Sequence, residues 1–388
     1  MNIDKRFPCV ADMEEAGLPR LPKFMRDYLA SGLGRGVSVR KNRTTLDDVE
    51  LMPKYMSELE QPDHSCNLLG KTYDAPFGVA PIGLGGLIWA KSERILSAAA
   101  LEHNIPYCLS TVATITLEDA HEISGENTWF QLYTPRDPAI RVDLIDRCAK
   151  AGYDTLVVTV DVPFGTRREH DIRNGMSVPP SPNFQTLWQM VKHRNWALRM
   201  LASGVPKFAN LTPYYDAQAL KNRRSEITKS ARFIKDRMGV HITRGVIGEI
   251  RDQWKGNLLV KGVLDPDEAV AYLDAGVDGL IVSNHGGRQL DASPSAVSVL
   301  PDIRQRVGPD ATVLVDGGIR SGLDIARMLA LGADFVLMGR PFLFALAAIG
   351  SRGGDHVMHI LKAELRTTMG QLGCSTLADL QSRLVKNP

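Results

Sequence analysis

The sequence predicts an α/β protein built as a (β/α)8 TIM barrel, with an N-terminal helical extension and a long insertion after strand 4. Three observations carry that prediction. Eight short apolar runs recur along the chain, helical patterns follow them, and glycine turns mark the junctions. Apolar runs without polar alternation indicate strands buried on both faces, as in parallel sheet. Eight such units favour a closed barrel over an open doubly wound sheet. A length of 388 residues suits one barrel with insertions, so residues 1–388 are expected to form a single domain.

The runs are PFGVAPI (76–82), PYCLS (106–110), TWFQLY (128–133), DTLVVTV (154–160), NLLVKG (257–262), DGLIVS (278–283), TVLVD (312–316) and DFVLMG (334–339). Helical stretches such as SERILSAAALEH, AIRVDLIDRCAKAG, DPDEAVAYLDAG and GLDIARMLALG lie between them. Ala151-Gly152, Ala275-Gly276 and Leu331-Gly332 suit helix C-caps just ahead of strands. Residues 1–75 read as helix and loop. Residues 165–240 are far longer than an ordinary crossover and read as a lid over the catalytic face.

The hydrophobic fraction is 44%, the charged fraction 23% and the net charge +2, with Lys and Arg scattered; no nucleic-acid partner is expected. The five cysteines are far apart and lack metal-type spacing, which suits reduced thiols. The polar N-terminus lacks a signal-peptide pattern and no run is long enough to span a bilayer, so a cytoplasmic location is expected. FQTLWQMVKHRNWALRMLASGVPKFANL (184–211) combines two tryptophans, Leu and Met with Lys192, Arg194, Arg199 and Lys207. That composition fits an interfacial helix on a membrane surface, on the inner face of the cell membrane, and equally a helix packed on its own barrel or a neighbouring subunit.

Working groups of this fold sit at the C-terminal ends of the strands. There the sequence places Gln131 and Tyr133, Thr159 and Asp161, Lys261, then Ser283, His285 and Arg288. DGGIRSG (316–322) and Gly339-Arg340 end the last two strands. Glycine turns leading into helices offer backbone N–H groups to an anion, and Arg320 and Arg340 add guanidinium groups, which points to a phosphate site. An inward Lys261 calls for an anionic partner. His285 and Asp161 suggest a base and its orienting carboxylate. Arg288 and Arg168 beside that base imply a carboxylate substrate. SGLGRG (31–36) follows a helical segment, not a strand, and reads as a loop. No HExxH or metal-ligand cluster occurs, and no metal is expected.

The motifs SNHGGRQLD, FQLY, TVDVPFGTRREHDIRNG and LVDGGIRSG…GADFVLMGRP together resemble the FMN-dependent L-2-hydroxy acid dehydrogenases and oxidases, from about Pro22 to the C-terminal helix. The resemblance implies FMN at the barrel mouth and a small 2-hydroxy acid as substrate. It gives His285 the role of base, Asp161 that of its partner, and Tyr133 a hydrogen bond to the substrate hydroxyl. Arg168, Arg288 and Tyr28 would grip the carboxylate. Pro81, Ile82 and Gly83 would line the flavin, with Lys261 at its N1/O2 edge and Ser110, Gln131, Thr159 and Ser283 against the ring or ribityl chain. Asp316, Gly317, Gly318, Arg320, Gly339 and Arg340 would hold ribityl and phosphate. Val112 and Gly165 replace bulkier residues of glycolate-using members, which implies a larger substrate such as L-lactate or L-mandelate. Gly83, where oxidases generally carry alanine, together with the segment 184–211 implies a dehydrogenase passing electrons to a quinone or other carrier. The alternatives are a soluble oxidase that gives electrons to oxygen and releases peroxide, and an FMN-binding barrel without turnover. A homotetramer is expected by analogy alone.

Overall fold

The computed structural model describes residues 2–56, 58, 61–174, 184–204, 206–214 and 240–385. Stretches 175–183, 205 and 215–239 of the insertion therefore lie outside the described residues. Two short strands come first, β1 (Cys66–Leu68) and β2 (Lys71–Tyr73), paired antiparallel. Eight more follow: β3 (Phe77–Val79), β4 (Tyr107–Ser110), β5 (Thr128–Leu132), β6 (Thr155–Thr159), β7 (Asn257–Val263), β8 (Gly279–Val282), β9 (Thr312–Asp316) and β10 (Phe335–Met338). Strands β3 to β10 pair in parallel, in chain order, and β10 closes on β3. This is the predicted barrel, each strand falling within or at the edge of its predicted run.

Local signals explain the alternation. Asp137, Asp265, Ser295 and Ser321 cap helices Pro138–Ala151, Pro266–Asp274, Ala296–Val307 and Gly322–Ala330 by accepting from backbone N–H groups of the first turn. Gly152, Gly276 and Gly332 take φ of +93°, +87° and +106° just past three helices, as the AG and LG junctions predict.

The strands bury both faces. Their outer side chains join the helices in the main core, while a second cluster fills the barrel interior: Cys108, Trp129, Val157, Leu259, Ile281, Leu314, Phe335 and Leu337 among others. Side chains two residues apart share a strand face. The inward positions therefore continue as Ser110, Gln131, Thr159, Lys261, Ser283 and Asp316. The barrel axis changes from apolar to polar within one step of each strand, and that step marks the floor of the site.

The hairpin β1–β2 departs from the helix-and-loop reading of residues 1–75. Leu68 and Tyr73 insert beneath the interior cluster, with the Tyr73 ring 6.5 Å from Trp129 and 6.0 Å from Phe335. Strands this short carry too little alternation to read from sequence. The rest of the N-terminal extension is helical, at Ile3–Arg6, Val10–Gly17, Lys23–Ala30 and Val37–Asp47.

Within the insertion, helices Phe184–Lys192 and Arg194–Ser203 are described. Trp196 and Met200 are buried, the Trp196 indole donates to Leu87 O at 2.9 Å, and the Arg199 guanidinium lies over Trp89. Phe184, Leu187, Trp188 and Val191 recur at helical spacing on one exposed face, and Leu198 and Leu201 are exposed on the next helix. The segment packs on its own barrel along one side and presents an apolar stripe along the other. Among the described residues, no helix is long and apolar enough to cross a membrane.

Candidate active site

The polar side chains at the strand ends form a belt. Ser110 Oγ donates to Gln131 Oε1 at 3.0 Å, and Gln131 Nε2 donates to Thr159 Oγ1 at 2.9 Å. Across the mouth, Lys261 Nζ lies 2.8 Å from both Ser283 Oγ and Asp316 Oδ2. Burial works against the Lys261 charge, but Asp316 and Asp161 outweigh it and raise the ammonium above its ordinary pKa.

The stretch SNHGGRQLD owes its shape to three consecutive left-handed residues: His285 at φ +57°, Gly286 at +63° and Gly287 at +76°. Only glycine adopts this region routinely, so the histidine is held there at a cost of about 1–2 kcal/mol. A Cβ on Gly287 would meet Val39 N at 2.7 Å, which requires glycine on a second count. Asn284 braces the turn. Its side chain exchanges two hydrogen bonds with Asn42, at 2.8 and 2.7 Å, and accepts from Gly287 N at 3.1 Å.

The turn delivers His285 Nδ1 to Asp161 Oδ1 at 2.8 Å and His285 Nε2 to the Tyr133 hydroxyl at 3.3 Å, with the two rings stacked. Burial opposes a charged Asp161, but His285, that hydrogen bond and Lys261 together hold the carboxyl below its ordinary range. Gly262, at φ +106° in a β-bulge of β7, makes room for it; a Cβ there would sit 2.6 Å from Asp161 Cβ.

Arg288 donates to Tyr28 O at 2.5 Å, and its guanidinium carbon lies 4.7 Å from the centre of the Tyr28 ring. Desolvation and the charge of Arg168 both lower the Arg288 pKa. Two cations in mutual repulsion form a site for an anion. Tyr28 reaches the mouth from helix Lys23–Ala30 and donates to Gly83 O at 3.1 Å. The structure thus brings together every residue of the sequence-predicted substrate group, from four separate parts of the chain.

The residues also fit a phosphate-bearing cofactor. Gly317 and Gly318 take φ of +105° and +86° between β9 and helix Gly322–Ala330, and a Cβ on Gly318 would meet Asn42 O at 2.1 Å. Desolvation pushes Arg320 down to about 10 and Arg340, which also feels Arg320 and Arg288, down to about 9. A guanidinium in a protein keeps its proton; Glu14, 3.8 Å from Arg320, offsets only part of the cost of burying these cations, and a phosphate would offset more. Arg340 also donates to the carbonyls of Leu29, Ser31 and Gly286, which ties the N-terminal extension to the His285 turn. Asp316 Oδ1 is buried without a hydrogen-bond partner, as a ribityl hydroxyl would require. Gly339 faces Ala80 and Ile82, just past the end of β3. Among the described residues no His, Cys, Asp or Glu cluster suits a metal ion.

Comparison with known proteins agrees with this geometry. The profile of the FMN-dependent dehydrogenases matches residues 19–387. The chain belongs to that family. It is an FMN-dependent oxidoreductase, and FMN is its cofactor. An L-lactate dehydrogenase of Caulobacter sp. (strain K31) is 37% identical over 96% of this chain and 97% of its own. One of Pseudomonas syringae pv. syringae is 34% identical over 97% of each. Among solved structures, the monotopic membrane protein (S)-mandelate dehydrogenase superposes with a TM-score of 0.91 at 34% identity, covering 98% of this chain and 99% of that one. A mandelate oxidase with (S)-4-hydroxymandelic acid gives 0.83 at 33% identity, covering 98% of each.

Several residues that support the site escaped the sequence reading. Asn42 and Asn284 stand beside the His285 turn, Arg43 donates to Gly318 O at 2.6 Å, and Glu93 and Asn210 are buried beneath the loops after β3 and β4. Only the SNHGG spacing hinted at Asn284; the others carry no local signal.

Proposed function

We propose that the protein, an FMN-dependent 2-hydroxy acid oxidoreductase, oxidises an L-2-hydroxy acid larger than glycolate to the 2-keto acid and passes electrons to a quinone or other carrier at a membrane surface. The observation that carries the reading is the His285 imidazole held between Asp161 and Tyr133, next to two mutually repelling arginines. Asp161 fixes the proton on Nδ1, which leaves Nε2 to remove a proton from substrate. Arg168 and Arg288 bind the substrate carboxylate, with Tyr28 alongside, and Tyr133 hydrogen-bonds the hydroxyl. FMN, when bound, accepts the two electrons. Lys261 would hold positive charge beside its ring, the belt from Ser110 to Thr159 and Ser283 would orient it, and residues 316–320 with Gly339 and Arg340 would hold ribityl and phosphate. Pro81, Ile82 and Gly83 form the adjoining wall.

The substrate size rests on Val112 and on Gly165, where a Cβ would meet nothing within 4 Å. The carrier and the peripheral attachment rest on the apolar stripe from Phe184 to Leu201, with the monotopic (S)-mandelate dehydrogenase in support. The whole chain acts as one FMN-binding domain, with 165–240 as its lid and surface contact. An anaerobic flavin-reduction screen with glycolate, L-lactate, L-mandelate and 2-hydroxyisocaproate tests the chemistry; an unbleached flavin with the whole panel refutes it. Stoichiometric peroxide under air would replace the carrier by oxygen.

A further inference from the structure

The loops after β3 and β4 carry Gly83 and Val112, and one buried carboxylate outside the site joins them. Glu93 lies in the first turn of helix Ser92–Glu102 and is 2% exposed. Its Oε1 accepts from Gly86 N at 3.3 Å, Thr114 N at 3.0 Å and Thr114 Oγ1 at 2.8 Å; its Oε2 accepts from Ser92 Oγ at 2.8 Å. Gly86 belongs to the first loop and Thr114 to the second. Among the described residues Glu93 forms no ion pair, so these four donors account for its burial.

The loops it joins are tightly fitted and strained. Leu84 N donates to Val112 O at 3.0 Å. A Cβ on Gly83 would lie 2.7 Å from Val112 Cγ2, and one on Gly86 would lie 2.3 Å from Thr114 Oγ1. Leu84 and Lys91, neither of them glycine, take φ of +57° and +62°. Such residues persist only where the surroundings over-determine them. On the outer side, Asn210 donates to Ser110 O and Ile115 O and accepts from Leu117 N, while Ala209 N donates to Ala113 O. The insertion therefore holds the β4 loop at Ser110, Ala113, Ile115 and Leu117, and Glu93 ties Thr114, which lies among them, to the β3 loop.

We propose that Glu93 is a positioning residue that sets the Gly83–Val112 wall, and through it the preference for bulky over small 2-hydroxy acids. The inference rests on the functional reading that this wall faces substrate. It predicts a local effect, because neither the residues assigned to ribityl and phosphate nor the His285 turn supplies a hydrogen bond to Glu93.

The test compares the E93A and E93Q holoenzymes. Glutamine keeps an acceptor toward Gly86 and Thr114, and the Ser92 hydroxyl can turn to accept from the new amide. In E93A, hydrogen exchange rises at least about tenfold in peptides spanning 83–92 and 110–116 while the peptides around 316–340 stay at the wild-type level. The ratio of kcat/KM for the preferred large acid to that for glycolate falls by roughly tenfold or more. FMN affinity changes less than about threefold. E93Q restores exchange and ratio. An E93A ratio equal to wild type overturns the proposal, as does exchange that rises across the whole barrel with loss of FMN, or an E93Q enzyme that behaves like E93A. A wild-type enzyme that oxidises none of the acids defeats the functional reading instead, while the exchange measurement still shows whether Glu93 joins the loops.

Discussion

Replacing Asp161 by asparagine isolates the electrostatic part of the proposed base. The amide retains a carbonyl oxygen that can accept from His285 Nδ1–H at the present 2.8 Å, so geometry changes little while the charge is lost. With charge centres about 4 Å apart and an effective dielectric near 20, the carboxylate is worth about 4 kcal/mol to an imidazolium. If the imidazole carries the substrate proton in the transition state, the rate of flavin reduction falls about a thousandfold. Anaerobic stopped-flow reduction at saturating substrate reads this directly. Substrate affinity, which the proposed function assigns to Arg168 and Arg288, changes little. A D161N enzyme that reduces its flavin within tenfold of the wild-type rate would refute the idea that Asp161 supports a charge developing on His285.

Other expectations follow from the same geometry. Asp161 is held below its ordinary carboxyl range, so its contribution is complete above that range and is lost as pH falls through the lowered value. The Tm gap between wild type and D161N should close as pH falls below roughly pH 4; a gap that widens there would show the opposite sign. Lys261→Met leaves Asp316 buried without its cation and should destabilise the FMN-free protein by about 3–5 kcal/mol in denaturant titration. An unchanged midpoint would contradict the buried pair. The triple substitution L187S/W188S/V191S removes exposed apolar surface and should weaken co-sedimentation with anionic lipid vesicles by at least about tenfold while leaving flavin reduction intact. Equal sedimentation of variant and wild type would place the contact elsewhere.

What could be read from the sequence depended on how local its physical cause is. VVTV and VLVD are strands because both faces are buried, and that leaves an unbroken apolar run. Lys261 and His285 stood out because strand ends are where this fold works, and charge there needs a reason. Tyr28 came only with the resemblance, since a helix 257 residues before His285 gives no sign of where it will land. Nothing local in the sequence sets Glu93 apart from an ordinary acidic residue in a first helical turn, or Asn210 from loop polarity. Both are buried by segments distant in sequence, so only the assembled loops reveal them. The hairpin at 66–73 was invisible for another reason: three residues per strand give no period to detect.

That hairpin governs traffic. Among the described residues, Leu68 and Tyr73 fill one end of the cylinder beneath Trp129 and Phe335, which leaves the opposite end, where the polar belt lies, to serve the cofactor site. On the proposed function, acid, keto product and electron carrier would take turns at that end. Steady-state plots at several fixed carrier levels should run parallel, the mark of an enzyme that releases one visitor before it admits the next.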